Sequence, residues 1–90
     1  MTELNINKRG DEDLNIDILV TQAGTCYCAR ASPKTLCSEL VECVRSVLSI
    51  EGGEGIVYNL TAHTWLDKRD TLANQGVLSA DTLLILFMDF

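Results

Sequence analysis

From Leu14 onward, apolar residues fall on every second position. Leu14, Ile16, Ile18 and Val20 alternate with Asn15 and Asp17, and Thr21 follows. A period of two predicts a half-buried strand, with Leu19 as one apolar residue on the outer face. Gln22-Ala23-Gly24-Thr25 places a glycine where a hairpin needs positive φ. A second strand over Thr25 to Ala31 completes the hairpin. The period then changes. At 100° per residue over Lys34 to Ser49, Leu36, Leu40, Cys43, Val44 and Val47 lie within about 60° of Leu40. Cys37, Val41 and Leu48 widen that side, and every polar residue falls opposite. An amphipathic helix follows, started by Ser32-Pro33 with Thr35 as a rival cap, and stopped by Glu51-Gly52-Gly53-Glu54-Gly55.

The remainder is again strand-like. Ile56 to Ala62 is β-prone with partial alternation, and Trp65-Leu66 is long enough for a short strand. Asp67-Lys68-Arg69-Asp70 is a solvated charge cluster, and Thr71 to Gln75 suits a short helical turn. Thr82 to Met88 is a continuous apolar run after its first residue, as expected for a central strand covered on both faces or one whose outer face binds something. The order is β-β-α-β-(β)-β. Pairing the two most apolar strands, the first and the last, as parallel central neighbours gives an α+β fold. It is a β-grasp with a mixed four- to five-stranded sheet and one main helix on one face. Residues 14–90 form this domain. Residues 1–13 are polar, end in Gly10-Asp11-Glu12-Asp13, and read as a flexible tail. The tripeptide Leu-Asn-Ile occurs at Leu4 and again at Leu14. It does not make a repeat, but Leu4 and Ile6 are alternatively able to add to a strand edge.

Composition narrows the function. The chain has 90 residues, 47% hydrophobic and 22% charged, which suits one globular domain and argues against disorder. The longest apolar run, Leu83 to Met88, is far short of the roughly 20 residues of a membrane span. A net charge of −6 repels phosphate backbones, so nucleic acid is not an expected partner. The N-terminal residues have no apolar core of a secretory leader, so a cytoplasmic protein with reduced thiols is expected. In that setting the acceptor pattern Asn59-Leu60-Thr61 is a chance match.

Candidate chemistry is sparse. Cys26 and Cys28 alternate with inward Tyr27 and point outward; Cys37 and Cys43 belong to the helix core face. Without a Cys-x-x-Cys pair no zinc knuckle is expected. His63 is the sole histidine and reads as a loop residue, which argues against Cys-His catalysis. Asp67 and Asp70 read as turn carboxylates rather than an acid–base pair. The glycine-rich loop lacks the Lys-Ser/Thr ending of a phosphate loop. Trp65 reads as a partly buried core residue. The informative surface is the outer sheet face. If Leu83, Ile85 and Phe87 meet the helix, then Leu84, Leu86 and Met88 face out, with Leu19 and Leu60 beside them. These five form the expected partner-binding patch.

The spacing resembles the ubiquitin-like family over about residues 14 to 88. Gly24 is followed by Tyr27, Ala29, Ala31 and Pro33. Leu66-Asp67-Lys68-Arg69-Asp70-Thr71-Leu72, Gly76-Val77 and Ser79-Ala80-Asp81-Thr82-Leu83 follow its later half. The resemblance implies partner recognition through the sheet face. The family's conjugating and sulfur-carrier members end in Gly-Gly, whereas this sequence ends in Met88-Asp89-Phe90, so conjugation is not expected. Size, the missing Gly-Gly and the ending Leu…Gly76-Val77…Asp81-Thr82-Leu83 make it similar to the bacterial YukD-like or EsaB-like proteins of WXG-type (type VII-like) secretion systems. The implied function is a non-conjugating, non-enzymatic interaction module without a cofactor, binding a larger protein through the outer face or pairing with a second copy. The alternative is a small ubiquitin-like accessory subunit of a multicomponent enzyme such as a di-iron monooxygenase. A third reading is a soft-metal or thiol protein using Cys26 and Cys28.

Overall fold

The computed structural model describes residues 3–6, 13–21 and 24–88. In chain order the elements are β1 (Glu3–Ile6), β2 (Leu14–Val20), β3 (Thr25–Ala31), α1 (Cys37–Leu48), β4 (Glu54–Asn59), β5 (Thr64–Leu66) and β6 (Thr82–Met88). They form one mixed sheet in the order β1-β3-β2-β6-β4-β5. The two strands expected at the centre are there, parallel, with Asp17 opposite Thr82 and Val20 opposite Ile85. The five strands β2 to β6 and the helix are the expected β-grasp. A sixth strand is added at the edge, where β1 pairs in parallel with β3, Leu4 opposite Ala29 and Ile6 opposite Ala31. Four residues of the stretch read as a tail therefore belong to the sheet, and the edge-strand alternative describes them. The rest of that stretch, apart from Asp13, lies outside the described residues.

Alternation fixes the core. Ile16, Ile18 and Val20 of β2, Ala29 and Ala31 of β3, Val57 of β4 and Leu83 and Ile85 of β6 all face α1 and are buried. The helix answers with Cys37, Leu40, Val41 and Val44, and Leu66, Leu72 and Val77 close the far side. At the β2–β3 turn, Gly24 holds φ +60°, and its N–H donates to the Val20 carbonyl at 3.0 Å. Gly55 has a different reason to be glycine: a Cβ there would clash with Val41 Cγ1 and meet Phe87 Cε1 at 3.2 Å. That contact sets how closely the helix approaches β4.

The helix is shorter than its periodicity predicts. Neither Ser32 nor Thr35 is its N-cap. Leu36 holds that position, and its N–H donates to Glu39 Oε1 at 3.0 Å. The first-turn N–H groups find acceptors in a distant loop: Cys37 donates to the Asp70 carbonyl at 3.0 Å and Ser38 to the Lys68 carbonyl at 2.9 Å. These tertiary acceptors satisfy donors that helix termini otherwise leave orphaned. At the other end Ser49 adopts a left-handed conformation, φ 54°, so the helix stops before the glycine loop. Two residues placed on the core face are exposed, Leu36 at the N-cap by 37% and Val47 in the last turn by 49%. A three-turn helix touches the sheet along one narrow line, and these positions flank it.

Two polar devices organise the loops. Arg45, placed on the polar face by periodicity, donates to the carbonyls of Gly52 and Gly53, both at 2.7 Å. Its guanidinium also lies 4.9 Å from the centre of the Phe87 ring. Asn59 is fully buried. Its amide donates to Asp81 Oδ2 at 3.0 Å, and its carbonyl oxygen accepts the Thr61 and Ala62 N–H groups, both at 3.0 Å. A glycan on a side chain committed in this way is incompatible with the folded state.

Replacing Gly55 with Ala is expected to destabilise the domain by about 1–3 kcal/mol, because the helix must shift to admit one methyl group. Thermal unfolding should show a drop of several degrees at least. An unchanged melting temperature would mean that the helix–β4 contact is soft.

Candidate functional site

The same alternation that fills the core builds the opposite face. Register lines up one outward residue from each of five adjacent strands. Cys26 of β3 stands opposite Leu19 of β2, and Leu19 stands opposite Leu84 of β6. Leu84 is also opposite Tyr58 of β4, and Tyr58 is opposite Trp65 of β5. With strands about 4.8 Å apart, the row crosses roughly 19 Å of sheet. Its aromatic end is fixed by an edge-to-face contact between Tyr58 and Trp65, centroids 4.8 Å apart. A second apolar pair, Leu86 opposite Ile56, lies two residues further along β6.

The five expected patch residues do not contribute equally. Leu19 and Leu84 meet at the centre of the row and Leu86 extends it. Met88 lies at the end of β6 opposite Glu54 and is 44% exposed. Leu60 follows β4 on the other side of the row, its N–H donating to the Thr82 carbonyl at 2.8 Å. Leu19, Leu60, Leu84 and Leu86 are half-buried rather than open, because neighbouring strands shield their flanks. Trp65, expected in the core, is 62% exposed. On a three-residue edge strand only Leu66 turns inward, and Trp65 takes the outer face. Ile56, Tyr58 and Trp65 were not read as part of the patch. The partial alternation of Ile56 and Tyr58 around Val57 is the signal that places two of them.

Charge borders the row. Asp17 lies beside it on β2, with Cys28 Sγ 3.7 Å from its Oδ1. Glu54 pairs with Lys68 at 2.6 Å. In the charged turn, hydrogen bonds from Arg69 hold the Asp67 carboxyl below its ordinary range. Both groups are exposed, and Asp70 accepts from the Thr71 N–H at 2.8 Å and the Asn74 amide at 2.9 Å. His63 is exposed in a turn at φ 57°.

Cys26 is exposed, Cys28 is half-buried and Cys37 is buried, whereas Cys43, expected with Cys37 on the core face, is half-buried. Burial pushes the Cys37 thiol up to about 11 and raises Cys43 as well, which suppresses the reactive thiolate. Among the described residues, no three His, Cys, Asp or Glu side chains are grouped to hold a metal ion. No described helix is long and apolar enough to cross a membrane.

No family model matches the sequence, and no curated protein matches it. Solved structures do match the fold. A designed protein based on ubiquitin superposes with TM-score 0.73 at 21% identity, covering 90% of this chain and 95% of that one. The ubiquitin-like domain of yeast Ddi1 gives 0.68 at 16% identity, covering 92% and 98%. A chain of the toluene 4 monooxygenase HD complex with the inhibitor 4-bromobenzoate gives 0.72 at 10% identity, covering 84% and 99%. At these identities the likeness establishes a ubiquitin-like β-grasp fold.

Two measurements probe the two faces. Ile85→Ser should cost about 3 kcal/mol or more, since it opens a cavity and buries a hydroxyl. Leu86→Ser, on the half-buried outer side, should cost roughly 1 kcal/mol; equal losses in urea unfolding would mean that both faces are interior. For the thiols, alkylation at pH 8 should modify Cys26 in the native protein and Cys37 only after unfolding. The native state holds the Cys37 proton to about pH 11, whereas the unfolded chain releases it near 9. Stability from this group is therefore complete below pH 9 and declines as pH rises from 9 to 11. A flat profile for the wild type, or no difference from Cys37→Ala over that window, would contradict the assignment.

Proposed function

We propose that this protein is a non-catalytic interaction module that docks a larger protein on its outer sheet face. The observation that carries the reading is the apolar row from Leu19 through Leu84 and Tyr58 to Trp65. Its aromatic end is largely open to water. Beyond its contact with Tyr58, the exposed part of the indole adds little to folding, whereas tryptophan and tyrosine contribute strongly when an interface desolvates them. Leu86 and Ile56 enlarge the apolar area, and Asp17 and Glu54 supply a polar border. The net charge of −6 favours a partner with a basic rim, whose approach it would accelerate.

A second reading, an accessory subunit of a multicomponent oxygenase, is favoured by the likeness to the chain in the toluene 4 monooxygenase complex, which spans 99% of that chain. Membership of a type VII-like secretion machine rests on the sequence pattern from Leu66 to Leu83.

The test uses Trp65, the sole tryptophan, as both anchor and reporter. Immobilised wild type should retain a partner that the Trp65→Ala, Leu84→Ser double variant loses, while circular dichroism stays native. Adding the isolated partner should shift the Trp65 emission to the blue. Equal retention by both forms, or an unchanged spectrum, would contradict docking on this face. Copurification of an iron-containing hydroxylase would select the oxygenase reading.

A further inference from the structure

The tripeptide Leu-Asn-Ile occurs twice, and the fold places both copies against the same strand. Leu4-Asn5-Ile6 of β1 runs parallel to β3, opposite Ala29, Arg30 and Ala31. Leu14-Asn15-Ile16 of β2 runs antiparallel along the other side, opposite Ala31, Arg30 and Ala29. Asn5 and Asn15 both stand across from Arg30. The helix-facing residues of β3 at these positions are two alanines, both fully covered. By register, β3 carries an apolar-polar-apolar segment on both sides.

We infer that the β3 edge is a strand-exchange surface, on which Glu3–Ile6 of a second copy of this chain replaces the molecule's own β1. β1 is four residues long and stands at the end of the sheet. Within the sheet it pairs with β3 alone. Without it, β3 presents a row of unpaired N–H and C=O groups, a template for another strand. The segment in each molecule that matches this template in sequence and register is Glu3–Ile6 itself. An exchanged strand makes the same backbone hydrogen bonds as the resident one, so only effective concentration selects between them. A short tether holds β1 near millimolar effective concentration, which favours the closed monomer at micromolar protein. Ile6 and Leu14 both stand opposite Ala31. Ile6 and Leu14 are therefore two strand spacings apart, about 9.6 Å, and closure within one chain needs a connection at least that long. Shortening it to a single residue, which reaches about 7 Å, removes closure without touching the exchanged contacts.

Two arms test this in the full chain. Leu4→Pro with Asn5→Pro removes consecutive N–H groups, so whichever faces β3 is lost. Amide exchange at residues 28–31 should then accelerate about tenfold or more. A synthetic peptide of residues 1–8 should restore protection in a saturable way, and a scrambled peptide should not. Deleting residues 7–12, which leaves Asp13 alone to reach about 7 Å, should give a dimer by light scattering, returned to monomer by excess peptide. Restored protection together with the dimer supports exchange between copies. Failure of the peptide to protect residues 28–31 overturns it. So does a monomeric deletion variant, which would leave the edge to a strand from another protein. If the proline variant does not fold, the deletion variant alone decides by its mass.

Discussion

The parallel pairing of β2 with β6 is the constraint on which the rest depends. It joins strands about 60 residues apart in sequence and places both at the centre of the sheet. A parallel pair cannot be made by a tight turn; it requires a crossover. Here the crossover contains α1, which is thereby laid across one face. Once Ile18 and Leu83 share a register line, the inward residues of both strands form one apolar floor for Leu40 and Val44. The hairpin partner β3 and the antiparallel β4 can then only add outward on either side.

That arrangement has to solve a donor problem at the start of the helix. The first-turn N–H groups of α1 are met by carbonyls of Lys68 and Asp70, and Leu72 and Ala73 donate back to Thr35 and Pro33. The loop between β5 and β6 thus serves as the helix cap, and helix and loop order each other. Asn59 and Asp81 do the equivalent work for the turn after β4 and the lead-in to β6. Both devices connect segments far apart in sequence. Their loss would leave several backbone groups unsatisfied at once, and each such group costs about 1–3 kcal/mol when buried.

The same register that completes the core leaves an apolar stripe on the other side. Strand alternation gives every inward residue an outward neighbour, and in β6 both sets are apolar. Tyr58 and Trp65 make the stripe wider and more specific than leucines alone would. The fold therefore stabilises itself through one face while the other keeps hydrophobic area unspent. This division, together with the exposed aromatic end, supports an interaction role.

Local pattern determined much of this protein. The period-two run from Leu14, the glycine at the β2–β3 turn, the 100° periodicity of the helix and the unbroken Leu83–Met88 run locate four elements and give the central pairing. They also place Leu19, Leu84 and Leu86 on the outer face, because alternation is a property of the strand itself. What the tertiary structure decided was everything set by neighbours distant in sequence. The helix starts at Cys37, where its donors are met by Lys68 and Asp70, so Leu36 becomes its N-cap and falls outside the core. Arg45 points to the glycine loop because three carbonyls converge there beside Phe87. Asn59 is buried because Asp81 reaches it across the sheet. Trp65 lies outside because its short edge strand turns only Leu66 inward. Glu3–Ile6 is a strand because β3 has an open edge to pair with. Hydrophobic period records which face of an element is apolar; which polar groups become buried, and which apolar ones stay in water, depends on partners that only the assembled sheet supplies.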